Sequence, residues 1–243
     1  MSERRRLDVL GCAVDCVDTR EALERITGFL RDGHAAQIVT FGAEMAMYAQ
    51  RDSGYREVVN AADLVVPDTV GIVWASRVLG RPLRERVAGI ELVEQLCDAP
   101  APSVFLIGAA DGVAADAAAS LRSRHPALTI AGTRHGYFSD AEASEIADAV
   151  RSSEARLVLV ALGFPRQEYW IREWLPRLGP AVCIGVGGAF DVWAGRAHRA
   201  PAALRRLALE WAYRLIREPR RLGRQLALPA FALRVLHQRL TTR

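Results

Sequence analysis

The sequence predicts an α/β protein built from βαβ units with a mostly parallel sheet, followed by a basic helical appendage. Two observations predict the body: short runs of branched apolar residues alternate with segments of helical spacing, and most of these runs end in a Gly, Pro or Asp corner before the next helix. The third predicts the appendage. From Arg196 to Arg243 there are twelve arginines and two acidic residues, a net +10, whereas residues 1–195 carry 20 arginines against 26 acidic residues, a net −6. This sets a core at 1–195, with parts 1–82 and 83–195, apart from a tail at 196–243.

Composition narrows the class. The 243 residues are half hydrophobic and a quarter charged, as in ordinary globular chains long enough to bury a real core. No apolar run approaches the roughly 18 residues of a membrane span, and the charged start has no apolar signal core, which favours a cytoplasmic protein. Cys12, Cys16, Cys97 and Cys183 lie among apolar neighbours without zinc-ligand spacing, so they read as reduced thiols. Lysine is absent, so every basic side chain except histidine is a guanidinium, able to grip a diphosphate or carboxylate with two parallel bonds.

In chain order, residues 7–17 alternate around Gly11 and predict a hairpin. Asp18 with Glu21 forms a capping-box pattern that opens a helix running to Arg31 and stopping at Gly33. Residues 36–41 predict a strand, 43–50 and 53–60 two helices, and 62–67 a buried strand stopped by Pro67. A helix to Leu79 follows, then a basic linker at 80–86. Beyond it the expectation is helix 89–97, strand 103–107, an Ala-rich helix ending near His125, strand 128–133, helix 139–152, strand 157–162, helix 167–175 and strand 181–186.

The corners after the strands are where an open parallel sheet binds ligands. Asp68 sits on one. It reads as a cap of the following helix, the commoner role, or as a general base. Gly108-Ala109-Ala110-Asp111-Gly112 sits on another, where backbone N–H groups at a helix start suit a phosphate, although the Gly-x-x-x-Gly spacing equally suits a tight turn. Gly185-Val186-Gly187-Gly188 reads the same way. Thr40 and Gln167 also follow strands; their bland roles are a satisfied hydroxyl and an exposed first-turn amide. If the strands share one sheet, Thr40, Asp68, Gly108 and Gln167 converge on one rim.

The tail has apolar residues at 204, 207, 208, 211 and 215, one face of a helix, with arginines at 214, 217, 221 and 224 and a break at Pro219. A second amphipathic piece spans 231–240. Such helices suit an anionic membrane surface, at roughly 1 kcal/mol per arginine near the headgroups. Few aromatics interleave with the arginines and no nucleic-acid module is visible, so nucleic acid ranks last as a partner. The apolar faces suit either the body or a second subunit, which leaves homo-oligomerisation open.

Several motifs carry a family resemblance: Thr40-x-x-x-Glu44, the segment from Ala62 to Asp68, Glu85-Arg86-Val87-Ala88-Gly89, Phe105 to Ala109, Gly136-Tyr137-Phe138, Leu162-Gly163-x-Pro165-Arg166-Gln167-Glu168, Gly185 to Asp191, and Glu210-Trp211-x-Tyr213-Arg214-x-x-x-Glu218-Pro219-x-Arg221. In this order they resemble the TagA/WecG/CpsF family of bacterial glycosyltransferases over residues 8–225. The resemblance implies a Rossmann-like core and a metal-independent inverting transferase without cofactors. It implies transfer of a sugar from a UDP-sugar to a polyprenyl-diphosphate-linked sugar at the inner face of the cell membrane, for teichoic acid or other surface polysaccharide. Asp68 matches the proposed base; Thr40, Arg86 and Gln167 match pocket residues, and Arg214, Arg221 and Arg224 match arginines proposed to hold the diphosphate. Gly108, Ala109, Gly187 and Gly188 join them as substrate-binding candidates. No Asp-x-Asp motif occurs.

Two positions depart from the family pattern. Gly42 stands where Asn is usual and Thr69 where Gly is usual, which puts the N-acetylmannosamine preference and the Asp68 corner in question. The rival readings are an NAD(P)-binding oxidoreductase, disfavoured by the missing Gly-x-Gly-x-x-Gly, and a non-catalytic nucleotide-binding or membrane adaptor.

Overall fold

The computed structural model describes residues 4–98, 102–198, 200, 201, 213 and 227–241. A hairpin comes first, β1 (Arg6–Val9) and β2 (Cys12–Asp15), turning through Leu10 and Gly11, both at positive φ. Positive φ at both turn residues matches the right-handed twist of the strands, which makes Gly11 the favoured residue there. The remaining elements are α1 (Thr19–Asp32), β3 (Ala36–Phe41), α2 (Ala43–Ala49), α3 (Ser53–Ala61), β4 (Leu64–Pro67), α4 (Val70–Val78), α5 (Gly89–Leu96), β5 (Ser103–Gly108), α6 (Val113–Arg124), β6 (Thr129–Arg134), α7 (Asp140–Ser152), β7 (Leu157–Ala161), α8 (Arg166–Trp174), β8 (Val182–Gly185), α9 (Ala189–Trp193) and α10 (Ala227–Thr241). The capping box expected at Asp18 and Glu21 is present, with Asp18 accepting from the Glu21 N–H at 2.9 Å and Gly33 closing α1 in the left-handed region.

Six strands form one sheet in the order β4-β3-β8-β7-β5-β6, and every neighbouring pair is parallel. Both faces are covered, as an all-parallel sheet requires. Ile38, Leu64 and Leu106 face the layer of α1, α5, α6 and α9, while Val39, Val65 and Ile107 face the opposite side. Within the sheet, β3, from residues 1–82, pairs with β8, from residues 83–195. Asp15 fastens the hairpin to its neighbours. Its fully buried carboxylate meets Arg4, Arg6 and Arg25 and accepts from the Val65 N–H at 2.8 Å.

Most differences from the expected elements are shifts of one or two residues at strand and helix ends. The five-residue helix α9 is new: it is too short to show a period in the sequence. Of the appendage, α10 extends the expected 231–240 segment at both ends. It packs on α2 and α4 through Phe231 and Val235, both buried. Gln238 ties it to the hairpin by accepting from the Leu10 N–H at 3.0 Å and donating to the Asp8 carboxylate at 2.7 Å. The expected helix at 202–216 lies outside the described residues, Tyr213 apart. No helix among the described residues is long and apolar enough to cross a membrane.

Candidate active site

Parallel strands share one carboxyl edge, and that edge collects the corners singled out in the sequence. In sheet order it presents Asp68 after β4, Thr40 at the end of β3, Gly187 and Gly188 after β8, Gln167 after β7, and Gly108 with Ala109 at the end of β5. Arg86, half-buried in the loop before α5, belongs to the same neighbourhood: the adjacent Val87 N–H donates to the Pro67 carbonyl at 2.9 Å, at the end of β4.

Asp68 is not the cap of α4. Thr69 occupies the cap position, and its side chain makes no capping bond. Asp68, half-buried, instead reaches across to the first residue of α5, where its Oδ1 accepts from the Gly89 N–H at 2.9 Å. Its own N–H donates to the Phe41 carbonyl at 2.9 Å, so the backbone of residue 68 is pinned to β3. The carboxylate is thus fixed at a strand end from both its backbone and its side chain, the preorganisation a base needs.

Thr40 stands beside it. Its hydroxyl donates to the Gly185 carbonyl at 2.8 Å, just beyond the last backbone pair of β3 and β8, Ile38 with Ile184. The side chain therefore continues a ladder that the backbone has left. Glycine makes this closeness feasible: a Cβ on Gly89 would lie 2.7 Å from Thr40 Cγ2, and a Cβ on Gly185 would lie 2.6 Å from Gln167 Nε2.

Gln167 is not the exposed amide of its bland reading. It is 3 % exposed, accepts from the Gly187 N–H at 3.1 Å through Oε1, and donates to Glu168 Oε1 at 2.7 Å through Nε2. It braces the β8–α9 loop from behind. Glu168 is the residue the sequence reading left without a role. It is 1 % exposed, its second oxygen faces the Tyr55 hydroxyl at 3.3 Å, and desolvation pushes its carboxyl up to about 7. The signal was present: Glu168 is in register with Ile171 and Leu175, an acid on the apolar face of its helix.

The Gly108–Ala109 corner has a packing explanation. A Cβ on Gly108 would lie 2.4 Å from the Ala161 carbonyl carbon, and Gly108 and Ala109 both take positive φ. The Ala109 N–H donates to Ala161 O at 2.9 Å and its carbonyl accepts from the Gly136 N–H at 2.8 Å. Those groups of Ala109 are engaged by the fold. Arg214, Arg221 and Arg224 lie outside the described residues.

The two departures from the family pattern meet each other. A Cβ on Gly42 would lie 2.9 Å from Thr69 Cγ2. The methyl at 69 occupies the space that a side chain at 42 needs, so the two positions act as one packing choice beside Asp68. The Thr69 hydroxyl is sealed there with no hydrogen-bond partner. An open groove of about 740 Å³ lies elsewhere: among the described residues it runs between α1 and α5 and meets the loop before α5 only at Glu85. Among the described residues no three His, Cys, Asp or Glu side chains are grouped to hold a metal ion.

The sequence pattern described as the glycosyl transferase WecG/TagA/CpsF family matches residues 7–243. The chain belongs to this family of glycosyltransferases. Among its relatives is an N-acetylglucosaminyldiphosphoundecaprenol N-acetyl-beta-D-mannosaminyltransferase of Bacillus spizizenii, 37% identical over 88% of this chain and 84% of that one. Proteins of the same name from Staphylococcus aureus and Bacillus subtilis are 33% identical over 96% of this chain and 93% of theirs, and 36% identical over 84% and 80%. The chain is accordingly a glycosyltransferase.

Proposed function

We propose that the protein transfers N-acetylmannosamine from its UDP conjugate to a polyprenyl-diphosphate-linked N-acetylglucosamine, with inversion, in the synthesis of a cell-surface polymer such as teichoic acid. The observation that carries this reading is the fixing of Asp68 at the carboxyl edge, next to Thr40 and across β3 from the Gly185–Gly188 turn at the end of β8. The relatives' names supply the sugars.

In one displacement, the acceptor hydroxyl oxygen bonds to the anomeric carbon as the bond from that carbon to the UDP oxygen breaks. The hydroxyl proton passes to the Asp68 carboxylate, and the electron pair leaves with UDP. A positioned base contributes about 10²–10⁴ in rate. Positive charge where UDP departs stabilises the developing anion, which is the role proposed for Arg86 and for Arg214, Arg221 and Arg224. Gly187 and Gly188 border the donor, and Gln167 supports them. The arginine-rich appendage brings the enzyme to an anionic membrane surface, where a polyprenyl acceptor resides.

The test is release of UDP and formation of the disaccharide on a synthetic prenyl-diphosphate acceptor. Asp68→Asn is expected to lower the rate by about 10²–10⁴ without loss of UDP binding. An unchanged rate identifies a different base. Calorimetric binding of NAD but not UDP would replace the reading with the oxidoreductase one.

A further inference from the structure

We propose that Glu168 is a positioning residue for the donor site: through the Gln167 amide it fixes the β8–α9 loop, and its charge sets how tightly that loop holds an anionic nucleotide sugar. The inference rests on the reading that Gly187 and Gly188 border the UDP-sugar.

The geometry defines the amide's direction. The Gly187 N–H can only donate, so it requires Gln167 Oε1, at 3.1 Å. Nε2 must then face Glu168 Oε1, at 2.7 Å, and any acceptor at that place holds the amide from flipping. The contact is close-fitting, since a Cβ on Gly185 would lie 2.6 Å from Nε2 and 3.1 Å from Glu168 Oε1. Gln37 closes the other side by donating to the Glu168 carbonyl at 3.0 Å. Glu168 thus lies one amide away from the loop, with no water-facing route for its charge.

Among the described residues pressed on this carboxyl, the titratable neighbours are Tyr55 of α3, with Cys12 of β2 and Tyr169 of α8 around the Tyr55 ring, and Asp52 bonded to Tyr169. Burial drives Cys12 up to about 12 and Tyr55 further; Tyr169 rises to about 12 and the Tyr55 N–H holds Asp52 low. Glu168, at about 7, is the member of this cluster that changes charge between pH 5 and 9. Protonated, it presents a neutral acceptor to Gln167. Ionised, it adds a poorly screened negative charge behind a loop that faces a diphosphate, roughly 10 Å away along the chain of bonds, which at an effective dielectric near 20 weakens anion binding by about tenfold or more for each phosphate charge.

The experiment is calorimetric titration of the full-length protein with UDP-N-acetylmannosamine from pH 5.5 to 8.5; the diphosphate diester keeps its charge over this range. The wild type is expected to lose at least about tenfold in affinity, the fall setting in near pH 7, whereas Glu168→Gln stays near the tighter acid-side value throughout. Tyr55→Phe, which removes a hydrogen bond to the ionised carboxyl, moves the midpoint upward. A flat wild-type profile overturns the inference, as does a fall in Glu168→Gln equal to that of the wild type, which assigns the step to another group. Binding at no pH overturns the donor-site reading and the inference together.

Discussion

Gly42 and Thr69 offer the sharpest test of how this rim is packed. Gly42 has φ −127°, which any residue adopts, so alanine there incurs no backbone strain and restricts the unfolded chain, a gain of about 0.4–1 kcal/mol by itself. Against this stands the 2.9 Å approach of the new Cβ to Thr69 Cγ2, an overpacking that costs about 1–3 kcal/mol. Gly42→Ala is therefore expected to destabilise. In a Thr69→Ser background the obstructing methyl is absent; the hydroxyl oxygen and Cβ stand 3.7 and 3.9 Å away, ordinary contact, so the cost largely vanishes. Any penalty for alanine at the α2 cap is common to both backgrounds and cancels in the cycle. The coupling energy is expected at about 1–3 kcal/mol, or roughly 2–4 °C in melting temperature for each kcal/mol in a chain of this size. Urea unfolding of the four proteins measures it. Equal costs of Gly42→Ala in the two backgrounds, within about 0.5 kcal/mol, refute the reasoning that these positions share one space.

Glu168 also makes stability depend on pH. Its folded carboxyl titrates at about 7 against an ordinary 4.5, so between those values the folded chain holds a proton that the unfolded chain has released, and stability falls as pH rises through the window. Relative to Glu168→Gln, the wild type is expected to lose about 3 kcal/mol between pH 4 and pH 8; parallel curves contradict this. Thr40→Val leaves the Gly185 carbonyl without its 2.8 Å donor and is expected to cost about 1 kcal/mol in urea unfolding, with a larger loss of turnover because β3 and β8 are bridged there. Of the four thiols, Cys12, Cys97 and Cys183 are buried and raised to about 12 or beyond, while Cys16 is half-buried. A thiol reagent is expected to modify Cys16 first, and the others only on unfolding, as peptide mass mapping can check.

The sequence carried the βαβ order and the rim because both rest on local signals. Branched runs such as 36–41 and 157–161 form buried strands, and Gly, Pro and Asp corners mark where they stop. Sheet order was not legible, since the pairing of β3 with β8 joins residues some 145 apart and no spacing in the chain encodes it. The same limit explains Asp68. An aspartate before a helix predicts a local cap, but its acceptor is filled by Gly89, a residue brought close only once α5 packs under β4. The bland reading of Gln167 as an exposed amide fails for the equivalent reason: a polar first-turn residue looks solvated until Gly187 and Glu168 close around it. Glu168 broke the apolar register of α8, which is the kind of local conflict that marks a strained or functional position. The meeting of Gly42 with Thr69 was invisible as well, because two unusual residues 27 positions apart reveal a shared volume only in three dimensions.

The glycines at 89 and 185 bear on how mutational scans of this enzyme will read. Each marks a spot where a neighbouring side chain leans into the void left by a missing methyl, Thr40 in one case and Gln167 in the other. A library that samples every position will score both as intolerant, on a par with residues that meet substrate, although neither brings a side-chain atom to the reaction. Their replacement by alanine will damage turnover by displacing a neighbour, and only the companion change that shortens that neighbour can separate a crowded position from a chemical one.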